Sequence, residues 1–195
     1  MNVEMDEKEK NDRIEAWNRA VCCFGTAKIF EKRLRELDPI NKRTQILGFV
    51  TPLLFGCFVM FSDKENILSN HVFLFFVAIF SFIQLFVSLW ALVDNWNNKL
   101  GDYTTSISEN MFYAGKFEDI GRRYSEDKDR HEKLLQETIL SDDLQRKRDI
   151  KMNISAKEIR YGRRYALSRF QRKCAECGEI PIVDSPNKNC SLCKI

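Results

Sequence analysis

Histidine, glycine and proline are scarce in this sequence, and their scarcity excludes several classes of protein. The 195 residues include two histidines, eight glycines and four prolines. The sequence offers no Ser/His/acid combination for nucleophilic catalysis and no glycine-rich loop that would cradle phosphate groups. His71 begins an apolar run, and His131 lies among charged residues with no cysteine nearby. We therefore expect a protein that is not an enzyme.

Charge is missing from two long stretches. Residues 45–62 and 71–93 contain no formally charged side chain over eighteen and twenty-three positions. A bilayer core about 30 Å thick is crossed by about 20 helical residues. The alternative is a soluble protein with two long core helices, but a buried helix is seldom uncharged all round over such a length. The sequence predicts an all-α membrane protein with a transmembrane hairpin over residues 45–93, turning at residues 63–70.

A cleavable signal is also missing, because the first forty residues are charged and precede the first apolar run. Six basic residues closely precede the first span, whereas the turn contains only Lys64. Basic residues accumulate on the cytoplasmic side of membrane proteins. We therefore expect both termini to lie in the cytoplasm, where a reducing environment favours metal ligation over disulfides for the C-terminal cysteines.

Residues 1–40 are predicted to form an N-terminal cytoplasmic amphipathic helix. Its apolar residues recur at helical spacing, namely Ile14, Trp17, Val21, Phe24, Phe30, Leu34 and Leu37. Pro39 is expected to end the helix, because the residue before a proline disfavours the α conformation. The helix either packs on the other cytoplasmic helices or lies flat on the lipid surface. Cys22 and Cys23 are either small buried side chains or sites of acylation.

Each span carries one face of small or polar residues. These residues are Gly48, Pro52 and Gly56 in the first span and Ser81, Gln84 and Ser88 in the second. Small residues allow helices to approach closely in lipid, and an amide near mid-span needs a partner or water. Either the two faces pack together, with Gln84 bonded to the backbone near Pro52, or they line a pore within a homo-oligomer.

A cytoplasmic helical stalk is predicted over residues 94–153, with Gly101 as its candidate interruption and residues 141–143 as the cap of a further helix. A basic helix over residues 154–173 follows, opened by a capping box from Ser155 to Glu158. Its predicted basic surface consists of Arg160, Arg163, Arg164, Arg169, Arg172 and Lys173. This surface is either simply solvated or binds anionic lipid headgroups, nucleic acid or a nucleotide ligand.

Residues 174–195 are predicted to form a small metal-binding tail. Cys174 and Cys177 form one C-x2-C pair, Cys190 and Cys193 form a second, and twelve residues separate the pairs. The short spacing lets both thiolates of a pair reach one ion, and Gly178 suits the left-handed turn that follows. Four thiolates complete a closed tetrahedral shell, which predicts a structural zinc ribbon or knuckle. An iron–sulfur cluster and a redox dithiol are the alternatives.

Three parts of the sequence together resemble a known family. They are the amphipathic helix EAWNRAVCCFGTAKIFEKRLREL, the two-span hairpin, and the polar helix NWNNKLGDYTTSISENMFYAGKFEDI. Over about residues 11–125 this layout resembles the SLATT domain. The resemblance implies a bacterial inner-membrane effector of nucleotide-signalling conflict systems, which oligomerises or opens a pore. The CxxC tail is similar to that of mobile-element-borne bacterial proteins whose two CxxC pairs lie about eleven residues apart, against twelve here.

Two hypotheses of function follow. The first is a defence effector that permeabilises the bacterial inner membrane after a signal from infection, acting with a cytoplasmic signalling partner or nucleotide-sensing protein. The second is a membrane-anchored interaction protein, whose zinc tail and basic helix recruit a cytoplasmic partner or nucleic acid. A redox membrane protein is a distant third, because the four cysteines are expected to bind one ion together.

Overall fold

A computed structural model describes residues 7–61, 71–124, 127–182, 190 and 192. Over these residues the fold is all-α, as predicted, with five helices and no strand. The helices are α1 (Glu7–Phe61), α2 (His71–Val93), α3 (Trp96–Arg123), α4 (Lys128–Ile150) and α5 (Ala156–Arg169). The predicted turn at 63–70 and the ligand Cys193 lie outside the described residues.

The chain divides into two compact units. The first unit consists of residues 1–33 and 103–195, and the second unit runs from Leu34 to Asp102. The first unit therefore contains the start of α1, most of α3, and all of α4, α5 and the cysteine tail. The second unit contains the rest of α1 together with α2 and the start of α3.

The core of the first unit lies where α1 meets α3 and α4. It is formed by Ala16, Ala20, Cys23, Ala114, Phe117, Ile120, Tyr124 and Leu135. The N-terminal helix thus packs on other helices, and of the large apolar residues that the sequence suggested, Phe30 is fully buried and Trp17 and Phe24 are half-buried. Ile14 is 46% exposed, whereas alanines of the same helix are fully buried. Small side chains lie inside because they let the helices approach closely.

A close helix approach in the first unit joins α1 to α5. A Cβ atom on Gly162 would lie 2.4 Å from the carbonyl oxygen of Gly25, a distance that no side chain tolerates. The predicted capping box positions α5 at its start. Ser155 Oγ accepts from the amide of Glu158 at 3.3 Å, and Glu158 Oε2 accepts from the amide of Ser155 at 2.8 Å. The capping-box prediction is confirmed.

A polar network is buried between α3 and α4. Asp149 accepts hydrogen bonds from Ser106 Oγ at 2.8 Å, Asn110 Nδ2 at 2.7 Å and Gln145 Nε2 at 3.0 Å. All four residues are buried. Burial raises the pKa of the Asp149 carboxyl, and the three donors oppose that shift. Since every member has a partner, the network fixes the register of the two helices.

The sequence-based prediction that the first helix ends at Pro39 is wrong, because α1 continues through both Pro39 and Pro52. Asp38 accepts from Lys42 Nζ at 2.7 Å across the proline. Asn41 is buried and donates to Asn97 Oδ1 at 3.0 Å. These contacts favour helical backbone after Pro39 and offset the hydrogen bond that the proline removes.

The stalk is interrupted at Asp94 and Asn95 rather than at Gly101, which lies inside α3. Asn95 has a φ of +54°, in the left-handed region that asparagine tolerates better than most residues. Asp94 accepts from Trp96 Nε1 at 2.8 Å and from Lys99 Nζ at 2.5 Å. The break is therefore stabilised by side chains that follow it.

Residues 141–143 lie inside α4 and do not start a helix, contrary to the prediction. Asp127 caps α4 instead, by accepting a first-turn amide at 3.2 Å. Asp142 and Asp143 accept from Arg19 Nη1 at 2.8 Å and 2.9 Å. Their carboxylates hold α4 against α1, which is why the cap-like composition appears in mid-helix.

The second unit brings α1 and α2 together at Gln84. Its Nε2 donates to the carbonyl oxygen of Leu47 at 3.0 Å. Over the described residues, none of the helices alone is both long and apolar enough to qualify as a membrane span. Val77–Val93 and Trp96–Arg123, joined at a 44° bend, meet the length and composition requirement only as a pair.

Candidate metal centre

The cysteine tail follows α5 directly and gathers three thiols. The Sγ atoms of Cys174, Cys177 and Cys190 all lie within 4.8 Å of one another. Cys174 and Cys190 are buried, with their sulfurs 3.8 Å apart, and Cys177 is half-buried. Leu167 of α5 packs against this cluster. The prediction that the two CxxC pairs converge is confirmed for these three ligands.

The backbone around the first pair forms the tight turn that the sequence predicted. The amide of Gly178 donates to the carbonyl of Cys174 at 2.9 Å, and the amide of Cys174 donates to the carbonyl of Glu179 at 2.8 Å. Gly178 has a φ of +71°, which only glycine adopts without strain. The turn therefore aims Cys174 and Cys177 at a common point.

The three thiols fit a tetrahedral metal ion. A zinc–thiolate bond of about 2.3 Å gives sulfur–sulfur separations of about 3.8 Å across a tetrahedral shell. The Cys174–Cys190 separation has this value, and it is far longer than the about 2.05 Å of a disulfide. Cys174, Cys177 and Cys190 could therefore hold a zinc ion, with one further ligand needed to close the shell.

Comparison with known proteins agrees with this geometry. The family model described as the mobilome CxxCx(11)CxxC protein matches residues 13–194. The chain belongs to this family. The match includes the helices of both units as well as the cysteine tail. No curated protein and no solved structure matches the chain.

The chain departs from the family description by one residue. Twelve residues separate Cys177 from Cys190, where the family description gives eleven. The extra residue falls between the two pairs, so each pair keeps the two-residue spacing on which ligand convergence depends. The mobilome family and its paired cysteines are thus consistent with metal binding in this chain.

Sequence reasoning missed one residue at this centre. Glu176 lies between the first two cysteines, and its Oε2 accepts from the Cys190 thiol at 3.2 Å and from the Leu192 amide at 2.9 Å. It therefore ties the second CxxC segment to the first.

The predicted basic surface is only partly a surface. Arg163, Arg169 and Lys173 are exposed, and Arg160 and Arg172 are half-buried. Arg164 is only 4% exposed, so its assignment to the surface is wrong. Its guanidinium lies 5.9 Å and 6.0 Å from the ring centres of Tyr161 and Tyr165. Burial of Arg164 beside these rings explains the interleaved aromatic residues.

The predicted helix-packing or pore face is only partly assembled within the chain. Gly48 and Gln84 lie together, since a Cβ on Gly48 would be 4.0 Å from Gln84 Nε2. The other four residues of the face are exposed, and they are Pro52, Gly56, Ser81 and Ser88. Gln84 donates to the carbonyl of Leu47. Pro52 has no amide hydrogen, so the carbonyl left without its helical donor is that of the next residue, Gly48.

Proposed function

We propose that this protein is a membrane-embedded effector of a bacterial defence system carried by mobile elements. In this proposal residues 45–62 and 71–93 form a transmembrane hairpin in the inner membrane, with both termini in the cytoplasm. An infection or nucleotide signal makes copies of the chain oligomerise and permeabilise the membrane. The lipid bilayer and other copies of the chain are its main partners, with a signalling or nucleotide-sensing protein upstream.

The observation that carries this proposal is the exposed apolar surface of the second unit. Large hydrophobic side chains cover its two long helices on the outside, including Ile46, Phe49, Leu53, Leu54, Phe75, Phe80, Phe82, Leu85, Leu92 and Val93. Contiguous apolar surface of this extent marks a contact with lipid or with other proteins. The contact from Gln84 to Leu47, which joins the two helices, is polar, as expected for helices surrounded by hydrocarbon.

Two further observations support the step from membrane embedding to an effector. The layout of residues 11–125 resembles the SLATT domain, and the chain belongs to a family described as mobilome proteins. Gly56, Ser81 and Ser88 are exposed along the hairpin, so they are available to a second copy. Small and hydroxyl-bearing residues of this kind favour helix association in lipid.

Membrane depolarisation on induced expression tests the effector function. A potential-sensitive dye should report loss of membrane potential with the wild-type chain. Gly56→Leu should reduce the loss, because a Cβ at Gly56 meets no atom of the described chain within 4 Å. The bulky side chain therefore disturbs contacts between copies rather than the fold of one copy.

Gly115→Leu is the matched control, because Gly115 is also exposed on a helix and a Cβ there meets nothing within 4 Å. It should depolarise as the wild type does, at equal amounts of membrane-inserted protein. Retention of membrane potential by well-expressed wild-type protein, with or without a phage challenge, would contradict the effector proposal.

The role we assign to the cysteine tail is a structural zinc site, with Cys193 as its fourth ligand. So small a segment has little core, and metal binding supplies most of its folding free energy. Elemental analysis of purified chain should give about one zinc per protein, and Cys190→Ser should lower that content sharply. Less than about half an equivalent of zinc would contradict this role, and iron with visible absorption would reassign it to a cluster.

A second candidate function is favoured by the Gln84–Leu47 hydrogen bond. Because the amide finds its partner within one chain, the hairpin needs no other copy and could serve only as an anchor. The zinc tail and basic helix would then recruit a cytoplasmic partner or nucleic acid. Replacing residues 45–93 with an unrelated hairpin distinguishes the two, because an anchor keeps its activity and an effector loses it.

A further inference from the structure

The first unit contains a cleft of about 750 Å³ between α1, α4 and the start of α5. This volume lies within the range of small-molecule binding sites. Branched aliphatic side chains supply its apolar lining, and they are Ile14, Val21, Ile29, Ile150, Ile154 and Ile159. The cleft does not involve the cysteine tail, so it is a separate feature of the molecule.

The acidic side chains of the cleft are already engaged by other groups of the protein. Asp142 accepts from Arg19 Nη1 at 2.8 Å and from the Cys23 thiol at 3.2 Å. Glu15 accepts from Arg19 Nε at 3.2 Å, and Asp149 is occupied by its three neutral donors. Arg19 thus binds both Glu15 and Asp142, and neutral donors hold Asp149.

Two other arginines of the cleft, unlike Arg19, are not bound to a carboxylate of the described residues. Arg146 on α4 and Arg163 on α5 both line the cleft and are exposed. Within the described part of the chain, neither guanidinium forms an ion pair or a hydrogen bond. A guanidinium binds phosphate or carboxylate oxygens through two parallel N–H donors. The cleft therefore combines an apolar lining with two uncommitted anion-binding groups.

We propose that this cleft binds an organic phosphate of mononucleotide size. Arg146 and Arg163 bind the phosphate, and the branched aliphatic side chains cover the faces of a flat ring. The side-chain amides of Asn11 and Asn18, which also line the cleft, reach the polar edge of that ring. Asn18 is positioned for this by Arg172, whose Nη1 donates to its Oδ1 at 2.6 Å.

Binding to the purified full-length chain in detergent tests this proposal, with AMP and ATP as the probes. Each should raise the unfolding temperature and give a saturable calorimetric isotherm. Adenosine and inorganic phosphate, the two halves of the probe, should each bind much more weakly. Arg146→Ala and Arg163→Ala should each weaken binding by about tenfold, the usual effect of losing a charged hydrogen-bonding partner.

The matched control removes the same charges from the same helices away from the cleft. Arg148→Ala combined with Arg160→Ala should leave the affinity within about twofold of the wild type. All four positions lie outside the core, so the variants should fold. The proposal is overturned if neither AMP nor ATP binds, or if the control pair weakens binding as much as Arg146→Ala with Arg163→Ala.

Discussion

The two units of this protein differ in which side chains their helices bury and which they expose. The first unit buries polar groups, among them Asp149 and Asn110, and satisfies them with one another. The second unit exposes large apolar side chains and joins its two long helices through the polar Gln84–Leu47 contact. The difference teaches that hydropathy alone does not tell which side chains of a helix are buried.

Small residues appear in both units but have different neighbours. In the first unit Gly25 and Gly162 bring two helices into backbone contact. In the second unit Gly56 faces open space. The same residue type is therefore a fixed packing element in one unit and a surface available to another molecule in the other.

Truncating one phenylalanine in each unit should give the largest contrast. Phe117 is fully buried in the first unit, so Phe117→Ala should lower the free energy of unfolding by about 3–5 kcal/mol. Phe82 is 70% exposed in the second unit, so Phe82→Ala should change the free energy of unfolding by less than about 0.5 kcal/mol. Denaturant unfolding in detergent measures both, and equal losses would contradict the contrast between the units.

Replacing one glycine by alanine in each unit should change the free energy of unfolding in opposite directions. Gly162→Ala places a Cβ 2.4 Å from a backbone oxygen, and the overlap should cost about 1–3 kcal/mol. Gly56→Ala meets nothing within 4 Å and should stabilise its helix by about 0.5–1 kcal/mol. Thermal unfolding of the two variants decides the matter, and stabilisation by Gly162→Ala would refute the close α1–α5 approach.

Acidification should act on the first unit through Glu158. The Arg33 guanidinium, with Ser155, lowers the pKa of Glu158 from 4.5 to about 2. The ion pair therefore contributes fully above pH 4.5, and its contribution is lost as the pH falls towards 2. The loss should be about 1–3 kcal/mol, and Glu158→Gln should remove this part of the pH dependence.

Asp94 of the second unit provides the comparison for this titration. Its ion pair with Lys99 is exposed on both sides, so Asp94→Asn should leave the acid unfolding midpoint close to that of the wild type. Unfolding curves collected between pH 5 and 2 would show whether Glu158→Gln and Asp94→Asn differ in this way. An identical response of the two variants would argue against a special role for Glu158.

Local patterns predicted local structure well. The Ser155–Glu158 capping box, the left-handed Gly178 and the convergence of the cysteines each depend on residues a few positions apart or on chemistry that allows few alternatives. The helical character of residues 45–61 and 71–93 could also be predicted, because their composition leaves helix as the main choice.

Features that depend on distant partners could not be predicted in the same way. Pro39 predicts a helix end, and nothing in the sequence indicates that the nearby Asn41 bonds to Asn97. Asp142 and Asp143 were read as a cap, because their partner Arg19 lies more than a hundred residues earlier. Asp142, Gln145 and Asp149 recur at helical spacing on α4, but such a polar stripe is typical of an exposed face, whereas these residues are buried.

The Gln84–Leu47 hydrogen bond has a consequence for any rearrangement of the hairpin. If the two helices lie in hydrocarbon, separating them leaves the Gln84 amide without its partner, at a cost of several kcal/mol. They can part only where water or a polar group of another copy replaces the lost contact. In the proposed effector, this bond would therefore hold the two helices together until water or a second copy replaces it.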